Sequence, residues 1–407
     1  MIVSAQRSRD CSAPTGGHGI RRLLMVTNLF PDEREPWRGL DNACVLQAMR
    51  QLRPQVEVRV LNLRPSHRFW WGAAADARSR AEDFTLQPQH GWVPYVPRLG
   101  GWNDRCYAWG LRRALRWLPR DWRPDALLLP WLFPDACAAA SLPEFHSAVK
   151  VAVAQGSDVH QYLGMPMRRR AILRLAGQAD IITRSAELKR RLIEAGATES
   201  GVHCIHNGVD ARIFHSGPQL QARQELGWNG GRPLALFVGN FLPVKGLELL
   251  LRAVAKLQER FPQGVDLALL GSGPLEGQLR ALAQRLGIPT NRLHWLGRQP
   301  PEVVACWLRA ADVCCLSSHH EGLPNVILEA LSCHCPVVST AVGGIAEVLA
   351  EAGSRSRLLQ GRDANSYAEA MAEMLARRDE PRDAVAGEVG DWSHCARRYW
   401  QVLDRRL

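Results

Sequence analysis

Short runs of consecutive apolar residues recur along the chain, each closed by a glycine-, serine- or asparagine-bearing turn and followed by apolar residues three and four apart. An unbroken apolar run of four to six residues suits a strand covered on both faces, and the three-four spacing suits a helix packed along one stripe. The first half reads as strands over 23–27, 56–63, 126–129, 149–154, 181–183 and 202–205. Its helical patterns fall at 41–52, 104–118, 167–177 and 186–195. The second half repeats the alternation more regularly, with strands over 234–238, 267–270, 293–296, 313–316 and 337–339. Alternating strands and helices predict parallel sheets. The polar, glycine-containing stretch 206–218 is the expected hinge. The fold class is therefore α/β, with two Rossmann-like domains over 20–210 and 211–391 facing across a cleft. Residues 392–407 read as a tryptophan- and arginine-bearing helix. Residues 1–19 carry no periodic pattern and are expected to be disordered.

Length and composition fit two ordinary cores: 407 residues, 46% of them hydrophobic. No apolar run reaches the length of a membrane span, and the start lacks the apolar stretch of a signal peptide, so the expected location is the cytosol. The 11 cysteines include no CxxC pair, which favours reduced, buried thiols. Cys333, His334 and Cys335 alternate too closely at a helix end to chelate well, and no metal is expected. The net charge of +11 raises the question of nucleic acid. Arg112, Arg113, Arg116, Arg120 and Arg123 interleave with Trp109, Trp117 and Trp122, and Arg168, Arg169 and Arg170 follow, but no nucleic-acid-binding motif accompanies them. Basic helices with tryptophans suit an anionic membrane surface, which predicts peripheral attachment rather than nucleic-acid binding.

The candidate chemistry centres on 320–333. Glu321 lies in the loop after the strand 313–316. Pro324 fits a first helical turn, and Asn325 and Glu329, four apart, share one helix face. The amides of Gly322, Leu323, Asn325 and Val326 would point at an anion near the helix start. Carboxylates accept from hydroxyls and amides donate to phosphate oxygens, so the segment matches a ligand with hydroxyls at its ends and a diphosphate between them. Lys245 stands between a strand-and-turn and the helix after it, where amides already favour phosphate. Gly271 and Gly273 flank Ser272 in another such turn and would permit close backbone approach to a ligand.

The ordered set Asn207-Gly208-Val209-Asp210, Gly239 to Gly246, Gly271-Ser272-Gly273-Pro274, Leu296-Gly297-Arg298, Glu321-x7-Glu329 and Gly343 to Val348 resembles the signature of the retaining GT-B glycosyltransferases of the "glycosyl transferases group 1" family. The resemblance covers roughly residues 20–400. It implies that a sugar moves from a UDP- or GDP-sugar to a hydroxyl of a glycan or lipid-linked acceptor, in glycan, exopolysaccharide or lipopolysaccharide biosynthesis. It also implies that the last helix crosses back onto the first domain. By the resemblance Lys245 binds the donor diphosphate, and Glu329 holds the ribose hydroxyls. Glu321 with the amides of Gly322 to Asn325 holds the donor sugar, and Gly271, Gly273, Gly297 and Arg298 lie near the nucleotide. Gly39, in the loop after the first strand, approaches the phosphates and acceptor. Asp158 faces the acceptor and is a catalytic candidate beside Lys245 and Glu321. Asn240 stands where many members carry arginine, so either another cation contributes, with Arg298, Arg184 and Arg38 as candidates, or leaving-group stabilisation rests more heavily on Lys245 and the amides of the Glu321-x7-Glu329 helix. No Asp-x-Asp occurs, and neither metal nor cofactor is expected beyond the co-substrate. Two alternatives keep the fold: nucleotide-sugar hydrolysis or epimerisation, and a catalytically lost protein that binds a membrane or nucleic acid.

Overall fold

The computed structural model describes residues 19–33, 35–66, 86–96, 100–228, 231–350, 356–382 and 389–406. The expected disordered start lies outside them except for Gly19. Two parallel sheets make up the architecture. The first contains β1 (Arg22–Thr27), β2 (Glu57–Ser66), β3 (Gln89–Pro94), β4 (Ala126–Leu129), β5 (Val149–Ala154), β6 (Asp180–Thr183) and β7 (Val202–Cys204), in the order β3-β2-β1-β4-β5-β6-β7. The second contains β8 (Leu234–Val238), β9 (Asp266–Leu270), β10 (Leu293–Gly297), β11 (Val313–Leu316), β12 (Val337–Thr340) and β13 (Ser356–Leu359), in the order β10-β9-β8-β11-β12-β13. The expected α/β class and paired Rossmann-like domains are what the chain forms.

Each sheet is covered on both faces, which is why β4, β8 and β11 are apolar throughout. Leu24 and Val26 of β1 enter one core while Leu23 and Met25 enter another. In the second sheet Ala235 and Phe237 of β8 are likewise separated from Leu234 and Leu236.

The final helix, Trp392–Asp404, packs on the first domain. Asp391 caps its start by accepting from His394 N at 2.7 Å, and Trp400 Nε1 donates to Met49 O at 3.0 Å. Arg184 is buried between this helix and the first one, donating to Tyr399 Oη at 2.7 Å and approaching Asp41 at 3.4 Å. The chain crosses between domains twice, and the crossings touch: Val209 N donates to Gly390 O at 3.1 Å. A Cβ on Gly208 would stand 2.4 Å from Trp392 N, so the contact requires glycine there.

Both strand orders reverse once, between β1 and β4 and between β8 and β11. Open parallel sheets bind ligands outside the carboxyl ends of their strands at such switch points. Here the loops after those ends face each other.

Candidate functional site

At the second sheet's switch point the loops after β8 and β11 meet. Lys245 Nζ donates to Glu321 Oε1 at 2.7 Å, and Ser318 Oγ donates to the same oxygen at 2.6 Å. The pair is largely buried, with side chains 21% and 11% exposed, so its charges face little competing solvent. Arg362 braces this loop through the carbonyls of Ser317 and Ser318, at 2.6 and 2.7 Å.

The helix Asn325–Ser332 starts one residue later than the sequence suggests, with Pro324 preceding it in extended conformation. Among the described residues no acceptor meets the amides of Gly322, Leu323, Asn325 and Val326. Leu323 and Val326 pack their side chains into apolar clusters. One turn deeper, Glu329 is half-buried by surface area yet densely surrounded. Burial pushes its carboxyl up to about 7, and no partner among the described residues offsets that.

Asn240 is exposed at the cleft wall. The turn containing Gly271 and Gly273 does make a close backbone approach, but to a neighbouring turn. A Cβ on Gly271 would stand 1.9 Å from Gly239 O, and one on Gly273 2.5 Å from Phe241 O. Gly271 N also donates to Gly297 O at 2.7 Å, so the three turns after β8, β9 and β10 form one hydrogen-bonded rim. Arg298 at that rim donates to Ser272 Oγ at 2.8 Å, and its guanidinium lies 4.1 Å from the Trp37 ring centroid across the cleft. Of the three arginines considered for the place of Asn240, only Arg298 is exposed here. Arg184 is buried, and Arg38 donates to Asn28 and to Glu35.

From the first domain, Gly39 sits at φ 67°, and a Cβ there would stand 2.2 Å from Leu29 O. Its loop is held by Asn28, whose backbone and side-chain amides donate to Asp135 at 2.6 and 2.9 Å. Asp135 is fully buried, which pushes its carboxyl up to about 7 against those hydrogen bonds. Sequence reasoning missed this anchor, because 107 residues separate the partners.

Asp158, the expected acceptor-facing residue, lies inside the first domain. Its side chain is fully buried, and its oxygens accept from the backbone of Leu132 at 3.2 Å, Gln155 at 3.0 Å and Gly156 at 2.9 Å. The carboxylate fastens the loop after β5 to the turn after β4 and offers the cleft no oxygen for an acceptor hydroxyl.

The domains touch along the foot of the cleft. Gly156 and Gly322 pack backbone to backbone: a Cβ on Gly322 would stand 2.7 Å from Gln155 O. His160 Nε2 is 2.9 Å from Glu321 O, and Asn207 Nδ2 donates to Asn325 Oδ1 at 2.7 Å. Glu347 of the second domain caps the helix Ala186–Ala195 of the first, accepting from Ala186 N at 2.8 Å and Glu187 N at 2.9 Å. Nothing local in the sequence marks Glu347 as a cap, since the capped helix belongs to the other domain.

Two family models match consecutive parts of the chain: glycosyltransferase family 4 over residues 42–212 and glycosyl transferases group 1 over 218–387. A D-inositol 3-phosphate glycosyltransferase of Nocardia farcinica is 30% identical over 312 residues, covering 74% of this chain and 66% of that protein. The Frankia alni protein of the same name is 33% identical, over 55% of this chain and 58% of its own length. The match therefore spans less than two thirds of either relative. The Corynebacterium jeikeium protein of that name is 30% identical, over 68% of this chain and 67% of its own length. Among solved structures, sucrose-phosphate synthase from Thermosynechococcus elongatus superposes with a TM-score of 0.75 at 18% identity, covering 95% of this chain and 99% of that one. Anabaena HepE in complex with UDP and glucose gives 0.69 at 19% identity, with coverages of 95% and 99%. By sequence the chain belongs to the group 1 glycosyltransferases, and by fold it is a GT-B protein.

Proposed function

We propose that the protein is a retaining glycosyltransferase that moves a sugar from a nucleotide-sugar, UDP- or GDP-linked, to a hydroxyl acceptor. The observation that carries the reading is the Lys245–Glu321 pair beside the unpaired amides of Gly322 to Val326, with Glu329 one turn further in. In this reading the donor diphosphate lies against those amides and Lys245, which neutralise the charge that grows on the leaving group. Glu321, held by Lys245 and Ser318, faces the donor sugar and steadies positive charge developing at the anomeric carbon. Glu329 takes the ribose hydroxyls. Arg298 adds the cationic charge that Asn240 lacks. Asp158 acts through the loop it fastens and not on the acceptor. Amides and Lys245 together supply charge stabilisation that does not require a metal.

A uridine donor is favoured by HepE, whose structure holds UDP and glucose. The relatives named for D-inositol 3-phosphate support a hydroxyl acceptor. Glycan, exopolysaccharide or lipopolysaccharide biosynthesis is the proposed setting, in the cytoplasm and at the inner face of the membrane. Trp102 and Trp109 are 48% exposed, Trp117 42% and Met167 49%, and arginines lie over two of the rings, Arg105 on Trp102 and Arg113 on Trp109. That patch supports peripheral attachment to anionic lipid. Trp122, by contrast, is a core residue at 5% exposure. No described helix is long and apolar enough to cross a membrane.

The deciding experiment is a thermal-shift screen against UDP-, GDP-, ADP- and TDP-sugars, with and without EDTA, repeated with Lys245→Ala. One nucleotide class should stabilise the wild type regardless of EDTA and lose that effect in the variant. A folded protein that responds to none of them would overturn the reading.

A further inference from the structure

Away from the diphosphate-facing amides, the seam between the domains gathers a thiol, an imidazole and a carboxylate. Cys204 ends β7 and His206 follows two residues later, so on an extended chain their side chains leave on the same side. Glu347 reaches them from the helix Ile345–Leu349 of the other domain. One ligand-type atom from each lies within 4.8 Å of the other two, the only such trio among the described residues, and His206 Nε2 is 3.4 Å from Glu347 Oε2. Ligands around a tetrahedral zinc ion stand about 3.3–3.8 Å apart, so small side-chain rotations close the set. All three residues are half-buried, so the trio can be reached from solvent.

We propose that Cys204, His206 and Glu347 bind a zinc-class divalent cation that clasps the first domain to the second. The donor set selects this class: sulfur and imidazole suit zinc, whereas magnesium and calcium seek shells of oxygen. The carboxylate is already oriented, because the amides of Ala186 and Glu187 fix both its oxygens, as outer partners do for metal-bound carboxylates. Binding forms bonds to sulfur, nitrogen and oxygen and sends the thiol proton, together with any proton on the imidazole, to solvent. No electron transfer is involved. Because two ligands come from one domain and one from the other, the bound ion holds the cleft in the arrangement seen here. This inference does not depend on the glycosyl-transfer reading.

The test uses the full chain, stripped of metal with a chelator and dialysed. Cobalt(II) is titrated in as a spectroscopic stand-in, and zinc is measured by equilibrium dialysis with elemental analysis. The expected result is one equivalent of zinc, a thiolate-to-cobalt charge-transfer band, and a rise in melting temperature with zinc. Cys204→Ser should abolish the band, and Glu347→Gln, which keeps one oxygen for the helix amides, should weaken binding at least tenfold. Absence of the band in the wild type, which requires no variant to fold, would overturn the proposal. So would equal zinc binding by wild type and Cys204→Ser.

Discussion

Asp158 and Glu329 show how differently two buried carboxyls can be used. Asp158 spends its oxygens on the amides of Leu132, Gln155 and Gly156, whereas Glu329 meets no hydrogen-bond donor among the described residues. Replacing Asp158 with asparagine turns an N–H group toward amides that need an acceptor. The expected cost is about 2–4 kcal/mol of stability, measured by denaturant unfolding, with lost activity tracking lost fold. Wild-type stability with slow turnover would instead return Asp158 to the acceptor. For Glu329, burial lifts the folded-state value from 4.5 to about 7, so the native protein holds the proton more tightly than the unfolded chain does. That contribution is fully present below pH 4.5 and is lost as pH rises toward 7. Glu329→Gln should therefore match the wild type near the acid end and exceed it by about 1–3 kcal/mol above neutrality, while binding nucleotide about tenfold more weakly. Melting curves across pH and a nucleotide titration would test both effects. The sequence marks both residues as chemically interesting, but it does not reveal which backbone amides a carboxylate will meet after folding.

At the scale of elements, most strands that the sequence reveals are buried on both faces, although the edge strands Val202–Cys204 and Leu293–Gly297 are legible as well. Ala126–Leu129, Leu234–Val238 and Val313–Leu316 are unbroken apolar runs, Val149–Ala154 is interrupted only by Lys150, and all four form strands at the expected bounds. The two strands not anticipated, Gln89–Pro94 and Ser356–Leu359, lie at sheet edges, where one neighbour is missing and polar residues, glycine and proline are tolerated. Periodicity weakens there because burial does. The final helix illustrates the converse. Its apolar stripe is legible, but its partner lies some 350 residues back, where Trp400 meets the backbone of Met49. Trp400 is 2% exposed in the core that contains β1, so Trp400→Ala should cost about 3–5 kcal/mol. Because this core belongs to the first domain, nucleotide binding by the second should outlast it in denaturant. Simultaneous loss of both signals would mean that the domains unfold as one unit.

At the scale of the whole molecule, the question is what holds the two domains closed without a ligand. The foot of the cleft carries directed polar contacts: His160 to Glu321 O, Asn207 to Asn325, and Glu347 to the amides of Ala186 and Glu187. The mouth carries the stack of Arg298 on Trp37, between an exposed ring and an exposed guanidinium. Exposed cation–π contacts are worth only about 0.5–1 kcal/mol, so the mouth should open more readily than the foot. In the proposed reading, opening at the mouth is also the motion that admits a donor, since the rim of Gly239, Gly271 and Gly297 adjoins Arg298. Trp37→Ala removes the stack and leaves the contacts at the foot in place. Its expected outcome is a larger radius of gyration in ligand-free solution scattering, faster donor association, and little change in melting temperature. Saturating nucleotide-sugar should return the variant to wild-type dimensions, because the donor would then supply the contacts that close the mouth. If ligand-free dimensions and association rate both match the wild type, the stack does not hold the mouth shut, and the contacts at the foot suffice to set the angle between the domains.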